Sequence, residues 1–159
     1  MKFAFLRCTV LMLAILCLCT ACGKAELRTD VPVSELSAAI EPLLANAADL
    51  DTADDDYLRF NFAGAETAEH IVRLPVSGNT LDEYGIFRAE SAEAAVAIAD
   101  ACRAYLNTRN EAWLGLYLVE EYPKLRDAEV KMLGQYVVYL ILSEEEKTAA
   151  IEKIEEMLK

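Results

Sequence analysis

An α+β fold, built on a four-stranded and mainly antiparallel sheet with helices packed on one of its faces, is what the sequence predicts. Three observations carry this. Two strand-like pairs are present, residues 69–76 with 83–89 and residues 129–133 with 136–142, each pair split by a turn signal. Each pair is followed by a capped helical pattern, opened by Ser91 in one case and by Ser143 in the other. Finally, residues 84–106 align without gaps on residues 136–158, with Tyr84, Ser91, Glu93, Ala97 and Leu106 matching Tyr136, Ser143, Glu145, Ala149 and Leu158. That echo reads as a strand–strand–helix pseudo-repeat.

The chain opens with the basic residues Lys2 and Arg7 and continues into an uncharged run, Cys8–Ala21. The run is short of the ~20 apolar residues a membrane-spanning helix needs. A basic start, a short apolar stretch and small residues before a cut site form a secretory signal. Thr20-Ala21-Cys22-Gly23 resembles a bacterial lipobox, with Cys19 where that pattern has Leu. The resemblance implies a diacylglyceryl group on Cys22, cleavage just before it, and a lipid anchor at the extracytoplasmic face of the cell membrane. Two acyl chains suffice for stable anchoring, whereas one does not. Cys17, Cys19 and Cys22 have neither a second cysteine pair nor a histidine cluster beside them, as a zinc site requires. The expected organisation is a signal peptide over 1–21, a tether over 22–32 and a single α+β domain over 33–159.

Composition narrows the function classes. The 159-residue chain carries a net charge of −12, and its first 21 residues hold two basic residues and no acid, so their removal leaves −14. Such a surface offers no cationic footprint for phosphates, which excludes nucleic acid as a partner. It also repels anionic lipid, so the body is expected to stand off the membrane on its tether. Beyond the signal only Cys22 and Cys102 remain, and no intramolecular disulfide is expected.

Within the domain, Ser34 is read as the cap of a first helix with Leu36, Ala39, Ile40, Leu43 and Leu44 on one face and a kink at Pro42. Residues 49–56, DLDTADDD, fail the calcium-loop pattern, since position 5 is Ala53 and position 6 is Asp54. They read as a solvated linker leading into a short helix at 57–62. Ser77-Gly78-Asn79 marks a turn, and Gly134-Gln135 suits a type II′ hairpin. The stretch LYLVEEYPKL reads as a helix ended near Pro123, and Ser143 with Glu146 forms a capping box.

TLDEYGIFRAES followed by a long helix, and then YLVEEYPKLRDAEVKMLGQYVVYLILS, resemble the domain-of-unknown-function 4358 family, lipoproteins mostly of Firmicutes. The resemblance spans roughly Val33 to Lys159. It implies an extracytoplasmic location in a Gram-positive cell, brings no established activity and transfers no catalytic residue.

A catalytic set is not visible. A His-assisted nucleophile needs a histidine beside it, and His70 is the only one in the chain. Cys102 lies on the apolar stripe of its helix and reads as a core residue. Glu83, between a turn and an aromatic at a strand start, is a candidate binding acid. Trp113 and Tyr117, spaced i, i+4, are candidate binding aromatics if their segment is helical, with Tyr122 nearby. The expected function is therefore a non-enzymatic interaction module, anchored through Cys22, with no cofactor or metal and an envelope protein as the partner. The alternative is a small-ligand or cell-wall glycan binder, which requires a concave pocket.

Overall fold

The computed structural model describes residues 27–65 and 68–159; the proposed signal segment and Cys22 lie outside them. Helix α1 (Val33–Ile40) is followed by two short 3-10 turns at Glu41–Leu43 and Ala47–Asp49. Strand β1 (Leu50–Thr52) and helix α2 (Asp55–Asn61) lead into β2 (Glu69–Pro75) and β3 (Glu83–Arg88). Then come α3 (Ala92–Glu111), α4 (Tyr122–Arg126), β4 (Glu129–Leu133), β5 (Tyr136–Ile141) and α5 (Glu144–Met157).

The sheet has five strands, not four, in the order β1-β2-β3-β5-β4, and every neighbouring pair is antiparallel. The added strand is β1, inside the segment read as a linker. It pairs Leu50 with Pro75 and Thr52 with Arg73 at the sheet edge. Three residues, two of them exposed and polar, are too few for a visible alternation.

Helices cover both faces, not one. On the first face, α1 and α5 pack through Leu36, Ile40, Ala150 and Ile154 against Tyr84, Ile86, Tyr136, Val138 and Leu140. On the second, α2, α3 and α4 pack through Leu58, Ile98, Cys102, Tyr105 and Leu125 against Phe87, Val137, Tyr139 and Ile141. Strand side chains alternate between faces, so β3 and β5, buried at nearly every position, are covered on both sides. This also removes support for the pseudo-repeat. Tyr84 and Tyr136 face the same side, yet the helix after β3 goes to the second face and the helix after β5 to the first. The echo is a shared strand, serine cap and helix.

Local signals account for most boundaries. Ser91 and Ser143 cap α3 and α5 as expected, the latter in a full capping box with Glu146. Gly134 takes φ +63°, as the first position of a type II′ turn requires. Helix α1 starts two residues earlier than a cap at Ser34 predicts, behind Pro32 and without a side-chain cap, and Pro42 ends it by turning the chain into a 3-10 segment. Pro123 opens α4 instead of closing a helix, because proline's missing N–H costs nothing in a first turn.

One glycine is fixed by packing. Gly85 pairs across the sheet with Tyr139, whose ring lies over it, so that a methyl group at Gly85 would collide with the ring. Gly85→Ala is expected to lower unfolding stability in urea by about 1–3 kcal/mol through overpacking; an unchanged midpoint would show that the ring is not held there.

The capping box carries a pH signature. Burial raises the Glu146 carboxyl, but bonds from Ser143 and from the Ala45 N–H outweigh that and hold it below its ordinary 4.5. A carboxylate lowered on folding stabilises above its unfolded value and loses that contribution as pH falls through the folded one. Glu146→Gln is therefore expected to cost about 1 kcal/mol at neutral pH, with the gap to the parent protein closing as pH falls below the ordinary carboxyl value of 4.5, as read by thermal melts across pH.

Candidate functional site

Glu83 begins β3 on the face covered by α2 and α3, and it is fully buried. Its Oε1 accepts from the Tyr105 hydroxyl at 2.5 Å and the Tyr139 hydroxyl at 2.8 Å, and its Oε2 accepts from Arg109 Nη1 at 2.6 Å. Tyr105 spends its only proton on Glu83, so the 2.6 Å contact between the Tyr57 and Tyr105 hydroxyls has Tyr57 as donor. Burial and the Glu83 charge push the Tyr105 and Tyr139 hydroxyls well above their ordinary value. Burial would lower Arg109, but Glu83 outweighs it and the guanidinium is raised. The partners of Glu83, the candidate binding acid, are thus two tyrosines and an arginine, and both of its oxygens are occupied.

A second polar cluster lies on the neighbouring turn between β2 and β3. Buried Asp82 accepts from Lys124 Nζ at 2.6 Å and from Asn46 Nδ2 at 2.6 Å. Lys124 also bonds Glu121 Oε2 at 2.7 Å, and that same oxygen accepts from Thr80 Oγ1 at 2.9 Å and the Leu81 N–H at 3.2 Å. Burial lowers the Lys124 amine, but the two carboxylates overcome it and the amine is raised.

Between α3 and α4, residues 112–121 form a loop tied down at three points. Glu121 is held by the turn as described. The Tyr117 hydroxyl donates to the Gly78 carbonyl. Trp113 stacks on Tyr122 with ring centroids 5.5 Å apart and planes 15° apart. Trp113 and Tyr117 thus do not share a helix face: the segment is not helical, and Trp113 faces Tyr122 at the core edge. Leu118 turns inward onto the second core cluster at φ +47°, a conformation that costs a branched residue of order 1–3 kcal/mol. Its neighbours turn outward. Leu114 is 79% exposed, Leu116 96%, Tyr117 58% and Val119 59%.

Leu114, Leu116 and Val119 were missed as site residues by the sequence reading. Their signal is the density of large apolar residues in WLGLYLV, which matches neither a 3.6-residue nor a two-residue period and so lacks a buried face to serve.

The remaining candidates resolve simply. His70 is half-buried and its Nδ1 donates to the Ala68 carbonyl at 2.8 Å. Cys102 is buried, and burial pushes its thiol up to about 12. Among the described residues no group of three His, Cys, Asp or Glu is placed to hold a metal. A surface depression of about 670 Å³ lies between the 3-10 turns and the start of α5, lined by residues including Leu43, Asn46, Lys124 and Glu145. No aromatic lines it, and the Lys124 amine there is already paired.

The domain-of-unknown-function model DUF4358 matches residues 45–142, well over half of the chain. The protein belongs to the DUF4358 family. The match covers the whole sheet, the Glu83 network and the exposed loop, and leaves α1 and α5 outside. Neither curated proteins nor solved structures give a match to the chain.

Breaking a buried ion pair costs about 3–5 kcal/mol, and Arg109 remains 30% exposed. Glu83→Gln in this DUF4358 protein is therefore expected to cost about 3 kcal/mol, near the low end. Tyr139→Phe, which removes one bond to the charge, should cost about half of that. Urea titration checks both, and two near-zero values would contradict the network.

Proposed function

We propose that this DUF4358 protein is a non-enzymatic interaction module, a lipoprotein held at the extracytoplasmic face of a Firmicutes cell by lipid on Cys22. The observation that carries the reading is the loop at 112–121. It is hydrogen-bonded and pinned at three points, yet it presents Leu114, Leu116, Tyr117 and Val119 to solvent. Water-exposed apolar side chains on an ordered support are the property of a contact surface.

The chemistry of the other candidates supports the same reading. Glu83 has no free oxygen and no exposure, and Cys102 is a buried thiol. The signal pattern and the Thr20-Ala21-Cys22-Gly23 sequence support the anchor, and no described helix is long and apolar enough to cross a membrane.

Radiolabelled palmitate fed to cells producing the full chain tests the anchor. The parent protein is expected to take up label and sediment with membranes, and Cys22→Ser to do neither. Equal membrane association of the Cys22→Ser protein would overturn it.

A further inference from the structure

The exposed side chains of the 112–121 loop, Leu114, Leu116, Tyr117 and Val119, form an apolar ridge at the opposite end of the sheet from the point where the described chain begins. Leu27 lies against Gly134 of the β4–β5 hairpin, and the Arg28 N–H donates to the Leu158 carbonyl. Arg88, the last residue of β3, bonds the Thr29 carbonyl. The ridge is pinned at the other end, to Gly78 and Thr80 ahead of the first residue of β3. Strand β3 alone separates these ends by about 17 Å at ~3.4 Å per residue. The five residues 22–26 reach at most about 18 Å, so in a chain anchored at Cys22 the entry end lies within about 18 Å of the anchor.

We infer that the ridge faces away from the anchoring membrane and docks into an apolar groove, rimmed by basic side chains, on a different envelope protein. This rests on the interaction-module reading and names the partner of that surface. The charge follows from the flanks. Glu111 and Glu120 border the ridge, both are exposed, and neither forms an ion pair with a described residue. Complementary charge around an apolar contact steers encounter and selects the partner.

Two other occupants fit less well. A second copy would set the same unpaired carboxylates against each other on chains of net charge −12. An anionic lipid surface is opposed by the same charges and lies at the wrong end. A narrow ridge with few contacts suits insertion into a groove.

The test is photo-cross-linking in cells producing the full chain, with benzoylphenylalanine placed singly at Leu116, at Phe60 on α2 or at Val96 on α3. Phe60 and Val96 are exposed positions on other elements. The expected result is one heterologous protein adduct from position 116 alone, reduced at least fivefold in the Glu111→Lys, Glu120→Lys double variant. Unchanged melting of that double variant shows that it is folded. An adduct at twice the chain mass, a lipid adduct, or a protein adduct indifferent to the charge reversal would overturn the inference. Protein adducts from position 60 or 96 and none from 116 would overturn this surface while leaving the interaction module standing. No protein adduct from any position would remove both.

Discussion

A carboxylate without solvent must be compensated completely or the fold around it fails, and Glu83 imposes that constraint at the centre of this protein. The compensation comes from three elements. β3 supplies the acid, β5 supplies Tyr139, and α3 supplies Tyr105 and Arg109, with Tyr57 of α2 closing the chain of hydroxyls. Apolar packing alone tolerates sliding of a helix along a sheet. A set of bonds to one buried charge does not, so the network fixes α3 in both rotation and height. Gly85 serves it by clearing the space that Tyr139 needs over the strand.

The position of α3 then decides where the following loop lies. Arg109 sits two residues from the end of that helix, and the loop starts directly after it. The Asp82–Lys124–Glu121 cluster holds the loop's far end against the turn that precedes Glu83. Two charged clusters, adjacent along residues 82 and 83, therefore brace the two ends of the apolar ridge. Their charges are consumed in fixing the scaffold, while the loop between them leaves Leu114, Leu116, Tyr117 and Val119 exposed.

The parts legible in the sequence were those with local causes. The serine caps, the capping box, the Gly134 turn and the strands at 69–75, 83–88, 129–133 and 136–141 each have a short-range signature. The parts that were not legible depend on distant partners. β1 exists because β2 has an edge to fill, not because Leu50–Thr52 is a strong strand. Coverage of both sheet faces was written in the unbroken apolar run of β5, which a strand with one wet face would not carry. Glu83 stood out as a candidate, but its partners Tyr105, Arg109 and Tyr139 are 22 to 56 residues away. Residues 116–125 read in sequence as a helix ended near Pro123, whereas 116–121 form turns and Pro123 opens α4. Leu118 at positive φ is a conformation no sequence pattern predicts for leucine.

The central claim is that the apolar ridge is a braced, ordered surface and not a loosely packed connection. Amide hydrogen exchange over residues 112–122, read by NMR on the mature domain, tests it most directly. The N–H groups of Tyr117, Glu121 and Tyr122 bond the carbonyls of Leu114 and Leu118. The account predicts that these amides exchange at least tenfold more slowly than the unstructured-chain rate, even though the side chains around them are exposed. Exchange at the unstructured rate throughout 112–122 would contradict it, because a surface that is not held cannot be the one the two charged clusters were built to present.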